Sequence, residues 1–361
     1  MNGTQVIKKA TTDRAKIYYV MSKYWPLLVF LFVAVIGLFY VKWNPYYQKA
    51  LVAASKHFIG TSIISGVAQV PPGPSWVVAL DYTAVYFKSV WKAMILGLVM
   101  ASLVEAILPR VWLQQLFGSS RYRSTALAGV AAIPSMMCTC CAAPIALSMR
   151  RQSVSAGASL AYWLGNPLLN PATLVFMGFV LSWKWVALRL VAGLVVVFGL
   201  AYVAGRLTGE ASITNSVMKD RKPEPANGGL FVRWLRAFSR LALESLPIYL
   251  ALVIILGAFR AWIFPLVNPQ WADSLWVTAC FAVAGALFII PTAAEIPIVQ
   301  TMMYFGLGAG PAAALLVTLP AVSLPSLLIV KSVFPTRVLV LVTAGVIVSG
   351  ILSGLAATLL F

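Results

Sequence analysis

Three of the chain's four cysteines fall within four positions, as Cys138-Thr-Cys140-Cys141, inside a run without charge from Ser124 to Met149. Cys138 and Cys141 are three apart and share one face of a helical turn, while Cys140 and Cys141 are neighbours. Met136 and Met137 precede them, and together these sulfurs form a soft donor set that prefers thiophilic species over hard ions. Pro134 and Pro144 bracket the stretch. Proline removes backbone hydrogen bonds, and in lipid an unpaired backbone group is tolerated only where protein or a watery cavity covers it. The combination reads as a broken helix lining a site for something soft. The competing reading is that small cysteines and methionines simply fill a helix contact. No histidine or fourth nearby cysteine closes a structural zinc site, so no metal or other cofactor is implied.

Glu295 is the second chemical candidate. It lies between Pro291 and Pro297 in another apolar stretch, where a carboxylate either carries a proton through a conformational cycle or caps broken-helix amides. Asn166 and Asn170 flank prolines inside an apolar run and are read as contacting ligand, loose backbone, or both. Glu105 and Glu244 stand near span ends and read as interfacial, Cys280 as packing, and the lone His57 as incidental. Neither a catalytic base beside the cysteines nor a phosphate-binding glycine loop is present, so an enzyme is the weakest class.

The composition sets what must position these residues. Of 361 residues, 61% are hydrophobic and 10% charged, with mean hydropathy +0.90. Soluble domains carry about 25% charge, so the expectation is an all-α polytopic membrane protein. The formal charge of +18 sits in short clusters between apolar runs rather than along one face. That excludes nucleic acid and points to cytoplasmic loops against anionic lipid headgroups. Residues 1–24 are polar and basic, and the apolar run after them lacks a cleavage pattern, which predicts a cytoplasmic N-terminus and a retained anchor.

Spans are expected at 25–41, 91–108, 158–181, 185–205, 245–264, 309–330 and 337–358, with proline-interrupted stretches at 124–149 and 274–306. Pro144, Gly157 and Pro167 repeat in spacing as Pro297, Gly310 and Pro320. Paired proline- or glycine-broken segments point to a transporter site between repeats. Pro134 and Pro291 are read as matching tips, which puts four extra residues in the cysteine stretch. Arg110, Arg121 and Arg123 follow the first repeat's opening span, whereas 267–273 has no Lys or Arg and ends in Asp273. Opposite charge bias predicts inverted repeats, seven full spans and two opposed re-entrant hairpins bounded by Pro134, Pro144, Pro291 and Pro297; eight to ten conventional spans is the alternative. The expected organisation is an anchor and excursion over 1–90, a first repeat over 91–206, a basic cytoplasmic linker over 207–240 and a second repeat over 241–361. A homo-oligomer is compatible with this plan.

The motifs Pro134–Ala146 with Gly165-Asn166-Pro167-Leu-Leu-Asn170-Pro171, and Pro291-Thr-Ala-Ala-Glu295-Ile-Pro297 with Gly308–Pro311, Leu319-Pro320 and Ser323-Leu-Pro325-Ser326, resemble a bacterial predicted-permease family. Its named members are organoarsenical efflux permeases of the ArsP type. The resemblance covers roughly 85–355. It departs at the cysteines, since the family pattern is nearer Cys-Ser-Cys-Gly before Ile-Pro, whereas this chain has Cys-Thr-Cys-Cys and then Ala-Ala-Pro. It implies an inner-membrane permease exporting trivalent organoarsenicals. A methylarsenic(III) centre has two exchangeable positions, so two of Cys138, Cys140 and Cys141 would hold it, with the third a hand-off partner and Met137, Asn166 and Asn170 around it. Glu295 would couple protons. Two other classes stay open: an uptake permease for a sulfur anion such as thiosulfate, and a cysteine-based membrane redox protein.

Overall fold

A computed structural model describes residues 25–64, 73, 75–208, 229–264 and 274–361. Most of the expected linker, Pro71, Pro72, Pro74, Pro265 and the 267–273 loop with Asp273 lie outside the described residues. In chain order the helices are α1 (Trp25–Lys56), α2 (Trp76–Ala106), α3 (Arg110–Phe117), α4 (Tyr122–Ala132), α5 (Thr139–Arg151), α6 (Ala156–Leu168), α7 (Pro171–Val180) and α8 (Trp183–Leu207). They continue as α9 (Leu230–Ala258), α10 (Arg260–Ile263), α11 (Leu275–Leu287), α12 (Glu295–Tyr304), α13 (Ala309–Ala321), α14 (Leu324–Val330) and α15 (Thr336–Leu360). Among the described residues, six helical segments are long and apolar enough to cross a bilayer: α1, α2, α8, α9, α13–α14 together, and α15. The protein is a polytopic helical membrane protein.

Several expected spans change length. α1 runs on past Val41 through a π-helical turn at Phe39–Trp43, and α2 starts at Trp76, where Ser75 caps it by accepting from the Val78 N–H. The expected 42–90 excursion is therefore largely helix. α9 takes in Arg233, Arg236 and Arg240, at the end of the expected linker 207–240. The expected full span 158–181 is two helices. Pro167 withdraws one N–H, the chain leaves helix at 169–170, and Asn170 restarts it by accepting from the Ala172 and Thr173 N–H groups with Pro171 in the first turn. The 309–330 span breaks in the same way. Pro320 is followed by Ser323 and Ser326, which form a capping box at the start of α14.

α4 and α5 have 11 and 13 residues. At 1.5 Å per residue neither crosses a hydrocarbon core of about 30 Å. Gly157 faces Thr125 and Gly165 faces Ala132, so α4 runs parallel to α6. Trp163 donates to the Thr139 carbonyl near the start of α5, and a short turn joins Arg151 to Ala156, so α5 is antiparallel to α6. The chain therefore reverses at 133–138 and forms a helical hairpin. α11 and α12 repeat the arrangement around α13: Gly310 faces Thr278 and Gly285 faces Thr318.

A constant separation of 153 residues relates Thr125 to Thr278, Pro144 to Pro297, Gly157 to Gly310, Pro167 to Pro320, and the caps Asn170 to Ser323. It also relates Ser153 to Gly306, both at positive φ in the turn out of each hairpin. Gly157 packs backbone to backbone on Gly205 of α8, and Gly310 does so on Gly354 of α15. These contacts correct two expectations. Pro134 has no proline counterpart, because Leu287 stands in its place, and the cysteine stretch contains no four-residue insertion. The length difference falls later, since α7 has 10 residues and α14 has 7.

Counterpart helices run in opposite directions. Gly257 of α9 meets Tyr82 near the start of α2, while Arg233 reaches the Ala106 carbonyl at its end. Gly345 of α15 packs on Leu200 of α8, and Phe361 stacks on Trp185 with centroids 4.2 Å apart.

Candidate functional site

Both hairpin tips and both helix breaks converge on one point. A chamber of about 10 Å³, room for about one water, is lined by Cys138, Thr139, Cys140, Pro167, Thr173, Pro291, Thr292, Ala293, Glu295, Pro320 and Ser323. Each tip is forced open by a residue at positive φ, Met136 at 49° and Ala293 at 68°. Such a conformation costs an L-residue roughly 1–2 kcal/mol, so both turns depend on the contacts around them.

Cys138 precedes the first residue of α5 and Cys141 lies one turn on, which brings their sulfurs to 2.8 Å. Both are free thiols, buried with Cys140. Cys140 lines the chamber beside Cys138. Its sulfur accepts from the Tyr86 hydroxyl at 3.5 Å and lies 3.7 Å from the Ser323 hydroxyl in the opposite break. Cys138 is thus the hub of the three, closest to Cys141 and also within side-chain hydrogen-bond reach of Cys140.

Pro144 does not bound the hairpin; it sits inside α5. Lacking an N–H, it leaves the carbonyl one turn back without a helical donor, and that is Cys140, whose carbonyl accepts from the Tyr249 hydroxyl instead. Pro297 likewise lies inside the first turn of α12, where its missing N–H costs little. Pro134 and Pro291 do occupy the tips. The Trp43 indole donates to the Pro134 carbonyl at 2.8 Å. Thr139 donates to the Pro320 and Ala321 carbonyls, tying the first tip to the second broken helix.

Asn166 accepts from the Met137 N–H at 3.2 Å and donates to the Tyr162 carbonyl at 2.9 Å, so it holds the tip rather than facing the chamber. Asn170 is a helix cap whose amide nitrogen is buried and unpartnered. Met137 is buried, and its backbone N–H donates to Asn166. Cys280 is exposed on the outer face of α11 rather than packed. His57 ends α1 in a left-handed conformation with its ring against the Phe179 carbonyl at 2.6 Å. Glu105 and Glu244 meet Arg151, and Glu105 also meets Arg240, in an ion cluster at the root of the first hairpin.

Glu295 is paired with Arg189 of α8 at 2.7 Å, the two side chains 2% and 0% exposed. Arg189 also donates to the Pro167 carbonyl at 2.9 Å, which joins the first helix break to the second hairpin. Glu295 Oε2 and Arg189 Nε are left without partners. Sequence reasoning missed Arg189, although a charged residue inside an apolar span was itself the signal. It missed Lys42 as well. That ammonium, 4% exposed, donates to the Tyr46 hydroxyl at 3.0 Å and to Thr292 Oγ1 in the second tip at 3.1 Å, and it lies near enough to interact electrostatically with Cys138 and Cys141. Lys42 and Trp43 therefore reach one hairpin tip each, which makes α1 part of the site and not only an anchor. A cavity of about 560 Å³ lies beside the chamber, sharing Pro291, Thr292 and Ala293 as its wall.

A family model described as a predicted permease (ArsP_1) matches residues 27–164 and 78–359. The chain belongs to that family. It is 51% identical to UPF0718 protein YraQ of Escherichia coli (strain K12) over 332 residues, 92% of this chain and 94% of the relative. It is 35% identical over 102 residues, 28% of each chain, to UPF0718 protein MJ0584 of Methanocaldococcus jannaschii. No solved structure matches it. Family and fold together make this chain a multi-pass membrane permease, and the chamber residues with Arg189 and Lys42 are polar and sulfur groups that it buries.

Proposed function

We propose that the protein is an inner-membrane permease that exports a soft, thiol-reactive solute by alternating access, with trivalent organoarsenicals as the substrate class. The observation that carries this reading is the Cys138–Cys141 dithiol, with sulfurs 2.8 Å apart, whose Cys138 lines the chamber where two hairpin tips and two broken helices meet. Methylarsenite, CH3As(OH)2, exchanges both hydroxyls for the two cysteine sulfurs and releases two waters, with no change in oxidation state. During hand-off the Cys140 sulfur replaces one of the two cysteine sulfurs on arsenic, and the released cysteine takes up the Cys140 proton. The chamber is closed in this conformation, so loading requires a hairpin to withdraw.

The antiparallel pairing of counterpart helices supports inverted repeats whose hairpins enter from opposite faces. The basic linker and the N-terminus then lie in the cytoplasm against anionic headgroups. Opening the buried Arg189–Glu295 pair exposes a carboxylate for a proton, which is the coupling step assigned to Glu295. Maleimide labelling of single cysteines at Ser119 and Ser274, in a cysteine-less background, checks the topology: both on one side would exclude opposed hairpins. Methylarsenite accumulation in everted vesicles checks the function, and wild-type accumulation by the Cys138→Ser, Cys141→Ser double variant would exclude the dithiol.

A second reading, uptake of a sulfur-containing anion, is favoured by one observation: the 560 Å³ cavity beside the chamber carries Lys42, Lys49 and Arg260 against a single carboxylate, Asp81. Competition of thiosulfate against methylarsenite in the same vesicles separates the two.

A further inference from the structure

We infer that the cavity beside the cysteine chamber is a binding site for small oxyanions, recognised by Lys42, Lys49 and Arg260. The site lies between the second half of α1, the start of α2, α10 and the second hairpin tip. Its lining holds three cationic side chains and one acid. Among the described residues, no carboxylate forms an ion pair with any of the three cations. A buried charge without a partner is costly, and the buried Lys42 and Arg260 each carry part of that cost.

Lys42 is almost wholly buried, and its two hydrogen-bond partners are neutral hydroxyls. Lys49 is close enough to Lys42 for the two ammonium groups to repel each other. Arg260 is 6% exposed, its guanidinium lies 5.3 Å over the Tyr82 ring, and its Nε is buried without a partner. Asp81, the acid, interacts with Arg260 only at longer range. A ligand with delocalised negative oxygens between these groups removes the repulsion, gives the guanidinium its missing acceptor, and uses the hydroxyl donor already on the wall at Thr292. A cation in the same place meets a net positive lining. A neutral apolar ligand leaves every one of these charges as it was.

The position gives the site a purpose. Thr292, which accepts from Lys42, belongs to the turn that separates this cavity from Cys138, Cys140 and Glu295. An anion held here touches the second hairpin tip, and the affinity difference between closed and withdrawn hairpin becomes a bias on opening. Only this last step rests on the permease reading; binding does not.

Isothermal titration of the purified full-length protein in detergent, with sodium thiosulfate, sodium sulfate and sodium methanesulfonate, tests the site, with choline chloride as cation control. Saturable binding of oxyanions and none of choline is expected. Arg260→Gln should weaken binding about tenfold or more, as expected for losing a hydrogen bond to a charged group. Lys49→Gln, an exposed and structurally mild change, should weaken it several-fold. Asp81→Asn should tighten it, and a gain in affinity is not produced by misfolding. Cys138→Ser should bind as wild type, so a failure of the dithiol reading in transport leaves this result untouched. Absence of saturable oxyanion binding to folded wild-type protein overturns the proposal. Equal affinity in wild type, Arg260→Gln and Asp81→Asn also overturns it.

Discussion

At the first hairpin tip, Cys138, Cys140, Cys141 and Ala142 occupy the turn and the start of α5; 153 residues on, the second tip has Pro291, Ala293, Ala294 and Glu295. The frames around the two tips correspond, with a Thr–Gly–Gly contact behind each hairpin and a capped break in each adjacent helix. The chemistry does not correspond. One tip supplies sulfur, the other a carboxylate, and the partner of each comes from the opposite half: Arg189 of the first half holds Glu295, and Ser323 of the second approaches Cys140. The similar frames therefore do not by themselves give the chemistry of the two tips. The site is composite, and neither half alone contains it.

The sharpest way to break this comparison is at the sulfurs. Cys138→Ser and Cys141→Ser should each abolish methylarsenite transport in everted vesicles, because one remaining sulfur holds the centre by a single bond and serine oxygen is a poor soft ligand. Cys140→Ser should slow transport without abolishing it, since the closest sulfur pair, Cys138 and Cys141, stays intact and Cys140 serves the hand-off. Cys280→Ser, on the exposed face of α11, should change nothing. Equal, mild effects at 138, 140 and 141 would make the first tip a packing element like the second.

Next in size is the ion pair that crosses the halves. Arg189→Met leaves Glu295 charged and uncompensated at full burial, a loss of about 3–5 kcal/mol, whereas replacing both residues by apolar ones of similar volume is expected to be close to neutral. Thermal unfolding in detergent should show the single variant far below wild type and the Arg189→Met, Glu295→Met pair recovering most of the difference. A double variant as unstable as the single would mean that Arg189 acts chiefly through the Pro167 carbonyl.

The frame has its own test. A methyl on Gly205 would fall 2.5 Å from the Gly157 backbone, and one on Gly354 would fall 2.7 Å from the Gly310 carbonyl. Overpacking of this kind costs roughly 1–3 kcal/mol. Gly205→Ala and Gly354→Ala should therefore lower the melting temperature by similar amounts, and a large inequality would show that the two frames are not equivalent under load.

The membrane class, the two interrupted stretches and the Pro144–Gly157–Pro167 echo were legible in the sequence because proline and glycine act on the backbone locally, wherever they stand. Glu295 and the cysteines stood out for a similar reason, as unusual chemistry in apolar runs. Matching Pro134 with Pro291 was an error of the same origin. Two prolines at tips suggested equivalence, while the true register is set by Thr125 and Thr278, threonines with nothing unusual about them until their glycine partners are known. The roles of Asn166, Lys42 and Tyr249 were illegible because each acts across long separations, Lys42 and Thr292 being 250 residues apart. A residue's type names its donors and acceptors, but only the packed helices say which carbonyl lies in reach.

The smallest effect sharpens the crossing of the halves most. Tyr249 of α9, the second half's opening helix, donates to the Cys140 carbonyl at the first tip, and Tyr82 of α2, the first half's opening helix, donates to the Ile289 carbonyl at the second tip at 2.7 Å. Both hydroxyls are buried, so each phenylalanine variant leaves a carbonyl short of a donor, at a cost of about 1–2 kcal/mol. The two costs need not appear in the same place. Cys140's carbonyl has no helical donor because Pro144 lacks one, so Tyr249→Phe frees the helix turn that carries the dithiol. It should lower methylarsenite transport beyond what its melting temperature explains. Tyr82→Phe acts on the tip without sulfur and should cost comparable stability with a smaller loss of transport. Vesicle uptake and thermal unfolding measured on both variants decide this. Equal transport losses at equal stability would mean that the two tips share the work, and the division into a sulfur tip and a carboxylate tip would fail.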